Sequence, residues 1–224
     1  GHISDSFEDQ VHELTAMTGT GVDAVILITN RLAKEEESDE VWLANLQALL
    51  DKLPSQVPLG FYECPYPYKR VLSPKVTRWC AESGRFFFLK DTCCDIQQIK
   101  EKLDICRDSN LKLYNANTST LLESLRYGAT GYSGVMANMQ CDLYAWLCAH
   151  PQDEKAEELS QELTICSLIE RQLYPVNAKY YLSLEGLSIT TECRSKRAED
   201  LTPTFRTEVE MLRQITKRMA DKYL

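Results

Sequence analysis

Residues Asp23-Ala24-Val25-Ile26-Leu27-Ile28-Thr29 form an unbroken run dominated by apolar side chains, three of them β-branched. A strand with water on one face alternates apolar and polar residues; this one does not, and suits a strand buried on both faces, as in a parallel sheet. An amphipathic stretch from Phe7 to Met17 precedes it. A charged loop, Lys34 to Glu37, follows and leads to Ser38, a residue suited to cap a helix N-terminus. Beyond it Val41, Leu43, Leu46, Leu49, Leu50 and Leu53 recur near helical spacing. The local order is helix, strand, helix.

That order repeats. Strands are predicted at Val57 to Tyr62, Arg85 to Lys90, Leu111 to Tyr114 and Gly131 to Ala137. Helices are predicted at Ser73 to Ser83, with Pro74 in the first turn, at Ile96 to Cys106, and at Ser119 to Tyr127, closed by Gly128. Alternation at roughly 30-residue intervals predicts βαβ units and an α/β fold with a parallel sheet. From about Pro151 it stops: residues 153–173, 177–187 and 203–223 all read as helices, punctuated by Pro175 and Thr202-Pro203. The expected organisation is a partial β/α barrel over residues 1–150 and a C-terminal helical region over 151–224. About five βα units are fewer than the roughly eight strands that close a barrel. No Gly-rich phosphate turn follows any strand, which argues against a doubly wound nucleotide-binding domain.

Asp and Glu total 33 against 25 Lys and Arg, for a net charge of −8. Such a balance argues against nucleic acid as a partner, which needs clustered excess cations. No apolar run approaches the roughly 18 residues of a membrane span, and no basic-then-apolar leader opens the sequence, so the chain is read as cytoplasmic with no membrane partner. The nine cysteines include no Cys-x-x-Cys pair. Neither a metal site nor a disulfide framework is expected, and no cofactor motif is present.

Two strand ends carry chemistry. Gly60-Phe61-Tyr62 ends in a phenol, and Phe86-Phe87-Phe88-Leu89-Lys90 ends in an amine. Lysine is nucleophilic only when neutral, and burying its stem beside Phe88 and Leu89 favours the neutral form. Catalytic groups of β/α barrels sit at the C-terminal ends of strands, and neighbouring parallel strands lie about 4.8 Å apart, so Tyr62 and Lys90 are placed to reach one bound carbonyl compound. Read singly, each is most often packing or a solvated edge residue; the pair raises the case for catalysis.

Three motifs carry a resemblance: Tyr62-Glu63-Cys64-Pro65, Leu89-Lys90-Asp91-Thr92, and Leu125 to Asn138, which contains Gly128-Ala129-Thr130-Gly131-Tyr132-Ser133-Gly134. In order and spacing the chain resembles the dihydrodipicolinate synthase and N-acetylneuraminate lyase family over nearly its whole length. The resemblance implies a (β/α)8 TIM-barrel fold and class I aldolase chemistry: Lys90 as the Schiff-base nucleophile toward pyruvate or a related 2-oxo acid, Tyr62 as proton shuttle, and an aldehyde as second substrate. It further implies that Tyr132 and Ser133 line the pocket, that Asn115 closes the opposite wall, and that the chain forms a homo-oligomer, a tetramer in many members.

Three departures accompany it. The family's Gly-Thr-Thr-Gly-Glu carboxylate loop is missing, as expected of a barrel shortened by three N-terminal units. Arg31-Leu32 stands where the family has Tyr-Tyr, and Pro67 where the synthase branch has an arginine for the aldehyde's carboxylate. Lys69 and Arg70 follow, but lysine does not reproduce a bidentate guanidinium. The alternative expectation is a catalytically impaired barrel relative with a binding or structural role.

Overall fold

Helix formation follows the capping residues. In the computed structural model, which describes all 224 residues, α1 (Phe7–Thr18), α2 (Asp39–Leu50), α3 (Pro74–Glu82) and α4 (Ile96–Cys106) begin behind Ser6, Ser38, Ser73 and Asp95. Each of those side chains accepts a hydrogen bond from a backbone N–H in its helix's first turn. A cap of this kind contributes about 1 kcal/mol.

The strands are β1 (Val25–Ile28), β2 (Leu59–Tyr62), β3 (Phe86–Asp91), β4 (Lys112–Asn115) and the two-residue β5 (Gly131–Tyr132). They form one sheet in sequential order, and the first three pairings are parallel. α5 (Leu121–Tyr127) precedes β5, with Gly128 at φ 114° behind it, a backbone conformation that favours glycine.

Packing divides the chain into two compact units, residues 1–115 with 127–131, and residues 116–126 with 132–224. The sequence boundary near 150 marks a change in secondary-structure order; the packing boundary falls at the end of β4. In the first unit α1 to α4 cover one face of the sheet. Leu14, Trp42, Leu46, Leu49, Val76, Cys80 and Ile99 pack with Val25, Leu27, Leu59, Phe61, Leu89 and Leu113, and every one of these is at most 1% exposed.

A bulge decides which face each β3 residue takes. Leu59 pairs with Phe86 and Gly60 with Phe88, so Phe87 is the extra residue. Strict alternation would have put Phe86 with Phe88 and Lys90; instead Phe86 is 1% exposed within the helix-facing core and Phe87 is 44% exposed.

The second unit is helical: α6 (Cys141–Ala149), α7 (Ala156–Cys166), α8 (Val176–Leu184) and α9 (Pro203–Tyr223), with Leu143, Leu147, Leu159, Leu163, Val209 and Leu212 in one core. Two expectations need correction here, and one helix was not foreseen. The strand expected at 131–137 stops at Tyr132, and Val135–Asn138 is a 3-10 turn closed by the bond from Ala137 N–H to Gly134 O. The helix α6 went unread, although Leu143, Tyr144 and Leu147 share a helical face and are buried. The single helix expected over 153–173 breaks after Cys166, where the Thr164 and Ser167 hydroxyls bond back to the Ser160 and Thr164 carbonyls and compete with the helix's own ladder.

Candidate active site

Paired residues of parallel strands point to the same side. Ile28, Tyr62, Lys90 and Tyr114 form one such row across β1 to β4, on the face opposite the covering helices. All four are half-buried, whereas the preceding row, Leu27, Phe61, Leu89 and Leu113, is at most 1% exposed. Lys90 Nζ stands 4.5 Å from the centroid of the Tyr62 ring. Beneath them Phe88 stacks on Tyr114 at 4.8 Å between ring centroids. Tyr62 and Lys90 are therefore brought together.

Asn115 is not in that row. It pairs with Asp91, is fully buried, and takes the helix-facing register, while Tyr114 takes the register of Lys90.

The sequence reading missed what lies behind the pair. Glu63 and Asp91, one residue beyond Tyr62 and Lys90, turn to the opposite side and are fully buried. From α4, Lys102 Nζ reaches Glu63 Oε1 at 2.6 Å and Asp91 Oδ2 at 2.5 Å. Leu72 N–H donates to Glu63 Oε1 and Thr92 N–H to Glu63 Oε2, both at 2.9 Å. Burial pushes the Glu63 carboxyl up; Lys102 beside it works the other way. Burial also works against the Lys102 ammonium, yet the two carboxylates outweigh it and raise its pKa. A signal existed: Lys102 interrupts the otherwise apolar face Ile99, Leu103 and Cys106 of α4.

The loop after β2 is held from β1's end. The Asn30 amide donates to the carbonyls of Cys64, Tyr66 and Tyr68 at 2.9, 2.8 and 2.6 Å, and the Tyr68 hydroxyl donates back to Asn30 O at 2.7 Å. The cations near Pro67 are engaged. Arg70 donates to the Lys34 and Glu37 carbonyls and pairs with Asp39 at 3.3 Å, and Lys69 Nζ donates to Thr92 O at 2.8 Å.

In the second unit the Tyr132 ring stacks on Tyr144 at 4.1 Å, and both hydroxyls meet Thr118 Oγ1, at 3.2 and 2.8 Å. Burial raises the Tyr132 phenol pKa. A side chain at Gly134 would collide with the Tyr132 ring and hydroxyl. Ser133 lies half-buried in the turn between them.

The model of the dihydrodipicolinate synthetase family matches residues 4–215. The chain belongs to that family. Among solved structures it is similar to dihydrodipicolinate synthase from Bacillus anthracis (TM-score 0.82, 21% identity, covering 96% of this chain and 72% of that one). It is also similar to the chloride-inhibited synthase from Acinetobacter baumannii complexed with pyruvate (TM-score 0.80, 20% identity, 95% and 72%). A monomeric dihydrodipicolinate synthase variant matches with TM-score 0.78 and 19% identity, over 99% and 72% of the two chains. No curated protein matches. At these identities the structural likenesses speak to the fold; the family assignment rests on the family-model match. No helix is long and apolar enough to cross a membrane.

Proposed function

We propose that the chain acts as a Schiff-base-forming lyase or synthase on pyruvate or a related 2-oxo acid, with an aldehyde as partner. The observation that carries this reading is the Lys90 amine 4.5 Å from the Tyr62 ring centroid, at paired C-terminal strand ends of a family sheet. The neutral Lys90 amine attacks the keto carbon, and the nitrogen's proton passes to the former carbonyl oxygen with Tyr62 as relay. A proton delivered by Tyr62 to the carbinolamine hydroxyl lets it leave as water, giving an iminium and the Tyr62 phenolate. The phenolate takes a proton from the adjacent carbon to give the enamine. The enamine carbon attacks the aldehyde carbon while the aldehyde oxygen takes up that proton, and water then hydrolyses the product iminium and frees the Lys90 amine; in the lyase direction the same steps run backwards.

The engagement of Arg70 with Asp39 and two carbonyls supports an aldehyde that does not present a carboxylate to a guanidinium at this loop. Roles for Tyr132 and Ser133 facing the 2-oxo acid and assembly as a homo-oligomer are part of the proposal and rest on the resemblance; residence in the cytoplasm is part of it too and rests on the sequence reading. Light scattering of the purified chain tests the assembly.

The decisive experiment is incubation with pyruvate and borohydride, followed by peptide mass spectrometry. A reduced adduct on Lys90, lost in Lys90→Ala, is the expected result. An unmodified Lys90 would sink the reading in favour of a barrel relative that binds without turnover.

A further inference from the structure

We propose that Glu63, Asp91 and Lys102 are positioning residues, a buried ionic clamp that sets how Tyr62 and Lys90 face each other. The inference rests on the reading of Lys90 as nucleophile and adds to it what holds the nucleophile in place.

The regular pairing of β2 with β3 ends at Tyr62 and Lys90, where a sheet frays most easily. Bonds centred on Glu63 and Asp91 take over at that point. Glu63 N–H donates to Lys90 O at 3.3 Å, Thr92 Oγ1 donates to Glu63 O at 2.7 Å, and Thr92 N–H donates to the Glu63 carboxylate. Cys93 N–H donates to Asp91 Oδ1 at 3.0 Å. Lys102 then draws together one carboxylate from each strand, each only one residue, about 3.8 Å of backbone, from a residue of the proposed pair. A small shift at either carboxylate is therefore passed to Tyr62 or Lys90.

Burying three charges gives little net stability, because lost hydration offsets their attraction, and well-packed apolar side chains often replace such clusters without loss. What the cluster supplies is direction: Glu63 accepts from Leu72, Thr92 and Lys102 at fixed positions on three segments of chain. Geometry of this precision matters for covalent chemistry, where misplacement by about 1 Å costs on the order of a hundredfold in rate.

The test uses the full chain and the variants Lys102→Met, Glu63→Gln and, as a surface control, Lys52→Met. Glu63→Gln is isosteric but sets an amide N–H₂ against a donor, at Thr92 N–H or at Lys102. For each, folding is followed by circular dichroism and the rate of reductive trapping of pyruvate on Lys90 is measured against pyruvate concentration. The expected result is a fall of roughly ten- to a hundredfold in the maximal trapping rate for both cluster variants, with the half-saturating pyruvate concentration and the Lys52→Met rate little changed. An unchanged maximal rate in either folded cluster variant overturns the proposal. So does failure of both to fold, which would make the cluster a requirement of folding rather than of placement. If the unmutated chain forms no adduct, the proposed function has failed. Trace acetylation with acetic anhydride, read at Lys90 against the exposed Lys52, then decides the clamp alone: a changed Lys90 labelling ratio in the cluster variants supports it, and an unchanged ratio overturns it.

Discussion

Gly60 has no room for a side chain because Phe88 lies across it: a Cβ built there would stand 2.8 Å from both the Cβ and the carbonyl oxygen of Phe88. The glycine leaves room for Phe88, its partner across β2 and β3, which stacks on Tyr114. Gly60→Ala is therefore expected to destabilise the chain by about 1–3 kcal/mol, since one of the contacts is backbone and cannot swing aside. Urea unfolding of the two proteins checks this, and an unchanged midpoint would refute it.

Tyr62→Phe keeps the ring beneath the Lys90 amine and removes only the hydroxyl. It is expected to leave the unfolding midpoint within about 0.5 kcal/mol and to slow adduct formation with pyruvate by roughly a hundredfold or more, the usual worth of a positioned acid or base. Equal trapping rates for the two proteins would remove Tyr62 from the proton relay.

His2 gives a pH dependence. Burial lowers its pKa from 6.5 to about 4, Glu13 opposing, and its Nε2 accepts from Ile28 N–H at 2.9 Å, which requires the unprotonated nitrogen. As pH falls from 6.5 the unfolded chain takes up the proton first, so the stability from this group is complete above about pH 6.5 and is lost as pH falls toward about 4. The loss is on the order of 3 kcal/mol. Denaturation midpoints at pH 4 to 7, compared between the chain and His2→Gln, isolate it; parallel pH profiles would show that His2 contributes none of it.

Much of the first unit was legible in the sequence. The alternation of apolar runs with capped amphipathic stretches located the sheet, and Lys90 and Tyr62 stood out because strand ends are where a barrel keeps its chemistry. What stayed hidden depends on contacts distant in sequence. The bulge that turns Phe86 into the core is set by pairing with Leu59, and nothing within Phe86-Phe87-Phe88 signals it. The cluster of Glu63, Asp91 and Lys102 joins two strands and a helix, and only the odd lysine on an apolar face hinted at it. The turn after Tyr132 read as strand because it follows a helix in the alternating order, while the packing of the Tyr132 ring against Gly134 directs the backbone elsewhere.

The cysteines are expected to react in an order set by their surroundings. Burial pushes the Cys106 thiol up to about 11 and Cys80 higher still. At Cys193 burial acts in the same direction, but hydrogen bonds from the Ser195 and Lys196 backbone outweigh it and hold the thiol below its usual value. Brief iodoacetamide treatment of the native chain, read by peptide mass spectrometry, should alkylate Cys193 early and leave Cys80 and Cys106 intact. Early modification of Cys80 would show that this part of the core opens readily.

The sheet's two faces have different tolerances to change. Side chains of the row Ile28, Tyr62, Lys90 and Tyr114 project away from the helices that hold the sheet. Ile28 and Tyr114, which flank Tyr62 and Lys90 in that row, can vary while leaving the helix-facing core untouched. That freedom ends at Tyr62 and Lys90 themselves and at the residue beyond each, where a change at Glu63 or Asp91 would be felt on both faces at once. Selection on this chain should therefore be permissive at the row's two outer residues, Ile28 and Tyr114, and abruptly strict at the pair between them and at the carboxylates behind it.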